Sequence, residues 1–151
     1  MTLWVNDLAR LKYLRPAIDA LALQQQSDGF VVRHWQAGSD YAAYQPAELV
    51  IEAFGCKLPE PVVQTMAQAV QPPVWINLEY FSAEDAALRN HGLPSPVMSG
   101  PAKGMTKWFF YPGLTEGSGG VMGGLSAMTS LGMTNISLKI SLFCYEPASL
   151  G

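Results

Sequence analysis

Cysteine is scarce: Cys56 and Cys144 are the only two in 151 residues, they stand far apart, and no CxxC spacing occurs. That argues against a disulfide framework, and the two histidines are not placed at ligand spacing from either cysteine, which argues against a zinc site. Charge is scarce as well, at 14% of residues with a net of -3, so the basic footprint of a nucleic-acid binder is missing. No apolar run approaches the roughly 20 residues that span a bilayer, and residues 1–14 lack a cleavable-signal pattern. A reducing cytoplasm is the compartment this composition fits, with no membrane or nucleic-acid partner. There is also no GxGxxG turn after the first strand-like run, so the phosphate-binding fingerprint of dinucleotide folds is absent. What remains is 49% apolar sequence, enough for one α/β domain with a real core.

The order of patterns is strand, helix, strand, loop, strand, helix, strand. "TLWV" at 2–5 reads as a strand, and "DLARLKYL" as a helix capped by Asn6 or Asp7. Pro16 and "QQQSDG" read as helix end and turn, and "FVVRHW" at 30–35 as a second strand. "LVIEAFG" at 49–55 is nearly continuous in apolar residues, as suits a parallel strand covered on both faces. A helix over "LPEPVVQTMAQAVQ" follows, stopped by Pro72 and Pro73, and then the strand "VWINLEY". A short helix from Ser82 has Glu84 and Asp85 in its first turn, where carboxylates favour the N-terminus. "HGLPSPVMSGPAKG" reads as loop and "KWFFYPG" as a fifth strand. The glycine-rich "EGSGGVMGG" is a crossing, and "ISLKISLFCYE" alternates as a strand does. The fold this implies is a Rossmann-like parallel sheet.

In such sheets ligands bind beyond the carboxyl ends of the strands. Two strands end in acids there, Glu52 and Glu79, with Asn77 beside the second. Carboxylates at that edge can act as bases or grip a guanidinium; equally, they can accept backbone N–H bonds or cap the next helix. His91 sits in a proline-stiffened loop near the same edge, where a surface role is the plainer reading. His34, flanked by Arg33 and Trp35, reads as packing. Lys107 is either a solvated strand-start lysine or a phosphate partner. Phe143 and Tyr145, two apart, share a strand face and suit either core packing or base stacking.

The blocks "ELVIEAFGCKLPE", "PPVWINLEYFSAED", "HGLPSP", "TKWFFYPGLT" and "ISLFCYE" resemble, in order and spacing, the bacterial protein-arginine rhamnosyltransferases that act on translation elongation factor P. They cover about residues 47–146, and "LWVNDLA" resembles that family's second strand and following helix. The resemblance implies an inverting glycosyltransferase with two Rossmann-like domains facing across a cleft, the GT-B arrangement. It implies transfer of L-rhamnose from dTDP-β-L-rhamnose to an arginine of elongation factor P, with no metal and no cofactor. On that reading residues 1–115 are the acceptor-side N-terminal domain lacking its first strand. Residues 116–134 are then a glycine-rich linker, and 135–151 hold the first strand of a C-terminal nucleotide-sugar domain that is otherwise missing.

The same resemblance places Phe143 and Tyr145 against the nucleotide sugar, and Asn77, Glu79 and Tyr80 on the acceptor side, with Glu52 and His91 as further cleft candidates. It places no catalytic residue in this chain, because the family's aspartates belong to a segment that would precede Met1. The expectation is therefore a fragment that is inactive alone. Two other readings stay open: a non-catalytic module that binds elongation factor P, and a decayed reading frame.

Overall fold

The computed structural model describes residues 1–35, 41, 44–120 and 140–144. Eight strands form one sheet: β1 (Thr2–Val5), β2 (Gln24–Ser27), β3 (Phe30–His34), β4 (Leu49–Ala53), β5 (Val74–Leu78), β6 (Pro94–Pro96), β7 (Thr106–Phe110) and β8 (Ile140–Cys144). Their order across the sheet is β2-β3-β1-β8-β4-β5-β7-β6. The six inner strands run parallel, and a short antiparallel strand closes each edge. The Rossmann-like α/β expectation holds at this level. No described helix is long and apolar enough to cross a membrane.

Three helices are set by local sequence. In α1 (Leu8–Leu14) the Asp7 side chain caps the start by accepting from the Arg10 N–H, and Leu8 is buried against Ile18 and Val32. In α2 (Glu60–Gln68) Pro61 sits in the first turn, where no N–H is needed. Val62 and Met66, one turn apart, both reach zero exposure and pack with Val50 and Trp75. The third, α3 (Asp85–Asn90), begins three residues later than expected, because the Ser82 hydroxyl accepts the Glu84 N–H in a turn before it.

Two local expectations change. "QQQS" is a strand rather than a turn: the Asp28–Gly29 pair, both at positive φ, closes a two-residue hairpin that brings β2 onto β3. The "HGLPSPVMSGPAKG" loop contains β6, which its prolines confine to an edge.

The described part of "ISLKISLFCYE", β8, lies in the middle of this sheet, parallel to β1 and β4 and paired with both. Without it those two strands would face each other across an unfilled gap, each with a row of unpaired backbone groups. Ser141, 4% exposed, lies against the buried Tyr44 side chain.

Candidate functional site

Parallel pairing puts partner residues on the same face. Glu52, Asn77 and Phe109 stand in register across β4, β5 and β7, with Trp75 and Lys107 one pleat earlier on that face. Glu79 follows Asn77 by two residues and continues the row past the end of β5. These groups, with the Gly55–Leu58 turn, Glu60 and Val63 of α2, and Pro101, line an open cavity of about 560 Å³ at the carboxyl edge of the sheet. This is where a parallel sheet offers a ligand site.

Glu52 is 3% exposed, and both its oxygens are engaged. The Lys107 ammonium donates to Oε1, and the Trp75 indole N–H donates to Oε2 at 3.1 Å. Lys107 also lies 4.5 Å from the centroid of the Trp75 ring. Burial pushes the Glu52 carboxyl above the usual range, the hydrogen bond and charge of Lys107 pull it back, and Glu79 pushes it up further. Glu52 and Lys107 therefore form a nearly self-contained pair in the cavity wall.

Asn77 is also 3% exposed. Its amide nitrogen donates to Glu79 Oε1 at 2.5 Å, while its Oδ1 is buried with no partner among the described residues. Glu79 is half-buried, and its backbone N–H donates to the Phe110 carbonyl at 2.8 Å. Among the described residues no three His, Cys, Asp or Glu side chains are grouped to hold a metal ion.

The structure thus brings Glu52, Asn77 and Glu79 together and sets two other candidates apart. Tyr80 is half-exposed and stacks on Phe54, 4.4 Å between centroids, outside the cavity lining. His91 accepts the Tyr111 N–H at Nδ1 and meets the edge of Phe110, so its ring orders the chain after β7. His34 Nε2 lies 3.0 Å from the Asn6 carbonyl, consistent with packing. The Phe143 backbone is placed in β8, but its side chain and all of Tyr145 lie outside the described residues.

Sequence reasoning missed Trp75 and Phe109 as cavity walls and read Lys107 as solvated or phosphate-paired. The signal was present: period two along "VWINLE" puts Trp75, Asn77 and Glu79 on one face. Lys107 could not be assigned to Glu52 without the strand order.

Residues 1–130 match the family described as "Elongation-Factor P (EF-P) rhamnosyltransferase EarP". The chain belongs to this family. It is similar to a protein-arginine rhamnosyltransferase of Pseudomonas putida, 41% identical over 168 residues that take in 99% of this chain and 43% of the relative. It is also similar to one of Shewanella oneidensis, at 34% identity over 98% of this chain and 42% of the relative. The Pseudomonas aeruginosa counterpart is 42% identical over 120 residues, 80% of this chain and 30% of its own length. The chain therefore spans less than half the length of these curated EarP-family relatives.

Proposed function

We propose that this chain forms the acceptor side of an enzyme that moves L-rhamnose from dTDP-β-L-rhamnose to an arginine of elongation factor P, with inversion. The single observation that carries the reading is membership of the EarP family over most of the chain, and the open cavity offers a place for the acceptor side chain. The sheet would be the N-terminal half of a GT-B enzyme, facing a nucleotide-sugar domain across the carboxyl edge. Phe143 and Tyr145 are assigned to the nucleotide sugar, and Asn77 and Glu79 to the acceptor.

A guanidinium is a poor nucleophile, because its charge is delocalised and its pKa exceeds about 12. In the transfer a guanidino nitrogen forms the new bond to the anomeric carbon as the bond from that carbon to the diphosphate oxygen breaks. The electron pair leaves with dTDP, and the nitrogen gives its proton to a carboxylate. Holding the nitrogen in line with the breaking bond is the larger task, since orientation can supply several kcal/mol of the barrier. Here the protein's contribution is a cavity that fixes the arginine; no cofactor is required, and no residue of this chain is assigned as the base.

The test is to incubate the chain with elongation factor P and dTDP-β-L-rhamnose. Binding is followed by calorimetry, and the acceptor's intact mass is followed for one deoxyhexose. Binding that depends on the acceptor arginine supports the acceptor-side role; a mass gain would add catalysis itself. The absence of both binding and mass gain would sink the proposal. Binding that is indifferent to the acceptor arginine, with no transfer, would favour the non-catalytic module.

A further inference from the structure

The two edges of the sheet are unlike. At the β6 edge the Phe109 N–H donates to the Leu93 carbonyl at 3.1 Å, and the Val97 N–H donates to the Met105 carbonyl at 2.9 Å. Backbone bonds alternate along an antiparallel pair, so Ser95 faces β7 and the outward positions are Pro94 and Pro96, which have no N–H to offer. That edge is closed. β2 forms the other edge with Gln24–Ser27, which holds no proline and no charge, and the preceding Leu21 and Leu23 are 90% and 67% exposed. Among the described residues no strand pairs with its outer side. An open, uncharged edge is one that another strand can join.

The same alternation fixes what β2 offers. The His34 N–H donates to the Leu23 carbonyl at 2.9 Å, and Ser27 opposes Phe30 across the two-residue turn. Leu23, Gln25 and Ser27 therefore face β3, and Gln24 and Gln26 present their N–H and C=O groups outward. The strand is also held in place. The Gln25 side chain accepts the Asp19 N–H at 2.8 Å and donates to the Asp19 carbonyl at 2.7 Å, while Arg15 holds Asp28 at 2.5 Å. An edge that is already ordered loses less freedom when a partner binds.

The partner these features fit is a second copy of this chain. An antiparallel β2 centred on Gln25 puts Gln24 of one copy opposite Gln26 of the other, so every outward N–H meets an outward carbonyl. A glutamine amide both donates and accepts, so the opposed side chains match each other. The register also lays the small Ser27 of one copy beside the exposed Leu23 of the other and meets Asp28 with Ala22, so no like charges oppose each other. We propose that β2 is a self-association edge, through which two copies join their sheets about a two-fold axis at Gln25. The prolines of β6 stop growth at two copies. The cavity walls come from β4, β5 and β7 and the turn and helix after β4, away from this edge, so both cavities stay open.

The test reads mass and stands apart from transfer. Sedimentation of the full chain at rising concentration is expected to pass from one copy to two, with no larger species. Gln26→Pro removes an outward N–H and no bond to β3, so it is expected to stay a single copy and to keep the wild-type melt. If that variant does not fold, Gln24→Lys together with Gln26→Lys sets like charges opposite one another and reads the same loss. For the register, Gln24→Cys mixed with Gln26→Cys is expected to form an inter-copy disulfide several-fold faster than either variant alone, because opposed residues lie within bridging distance. A chain that stays single at every concentration would overturn the inference. So would two copies that survive the blocking variants, or equal cross-linking of the mixture and the single variants.

Discussion

Glu52 is the residue where sequence and structure differ most in meaning. At a strand's carboxyl end it read as a candidate for ligand or base, and it does line the cavity. Burial on β4 instead couples it to Lys107 and Trp75, from strands whose adjacency no local pattern encodes. Its raised carboxyl gives a pH prediction with a definite sign. The folded state holds the proton more tightly than the unfolded chain, so Glu52's contribution to stability is full below the ordinary carboxylate range. It is lost as pH rises through the raised native value. Thermal melts should therefore show wild type losing stability relative to Glu52→Gln as pH climbs from the carboxylate range toward neutrality. A difference that grows in favour of wild type over that window would contradict the burial account. By contrast, Asn77 and Glu79 were legible, because period two along one strand is a local property.

At the scale of elements, the strand-to-loop exits decide the shape of the cavity. After β4 the chain passes through Phe54 at φ 59 and Gly55 at φ 68, two successive left-handed residues that turn it into the Gly55–Leu58 wall. Glycine accepts this without strain; phenylalanine does not, and its stack on Tyr80 helps offset the cost. Both Phe54→Asn and Phe54→Val remove the ring, but asparagine tolerates the left-handed region and a β-branched valine resists it. Phe54→Asn should thus be the more stable by about 1 kcal/mol in denaturant melts, although valine is the more apolar residue. The reverse order would mean that the backbone is not strained there. Nothing in "EAFGCK" signals this to a reader of sequence, since the glycine alone accounts for a turn. The helices were legible for the opposite reason: Asp7, Pro61 and the Val62–Met66 pair act within one turn of themselves. β2 was missed because glutamines carry little strand propensity of their own, and its partner strand and the Asp28–Gly29 turn impose the pairing.

For the whole molecule the decisive feature is β8. Parallel order is a property of chain crossings, so the slot between β1 and β4 is invisible to local reading, and a good strand sequence at 140–144 fits several architectures. In this one it is a central strand, with Leu142 paired to Leu3 and Ile51. Leu142→Pro removes a ladder donor from the middle of the sheet and should cost about 3 kcal/mol or more, enough to abolish a cooperative melt in a marginal domain. An unchanged melt would place 140–144 outside this core. The functional account rests on a different property of the whole, the convergence of β4, β5 and β7 on one cavity, which the proposed function assigns to an arginine presented by a protein. Its most direct test is to titrate the labelled chain with elongation factor P and with a variant whose acceptor arginine is replaced by alanine. The account predicts that wild-type elongation factor P shifts the Asn77 amide and the Trp75 indole resonances and that the alanine variant leaves them in place. Equal responses to the two proteins, or shifts confined to residues far from β5, would contradict it.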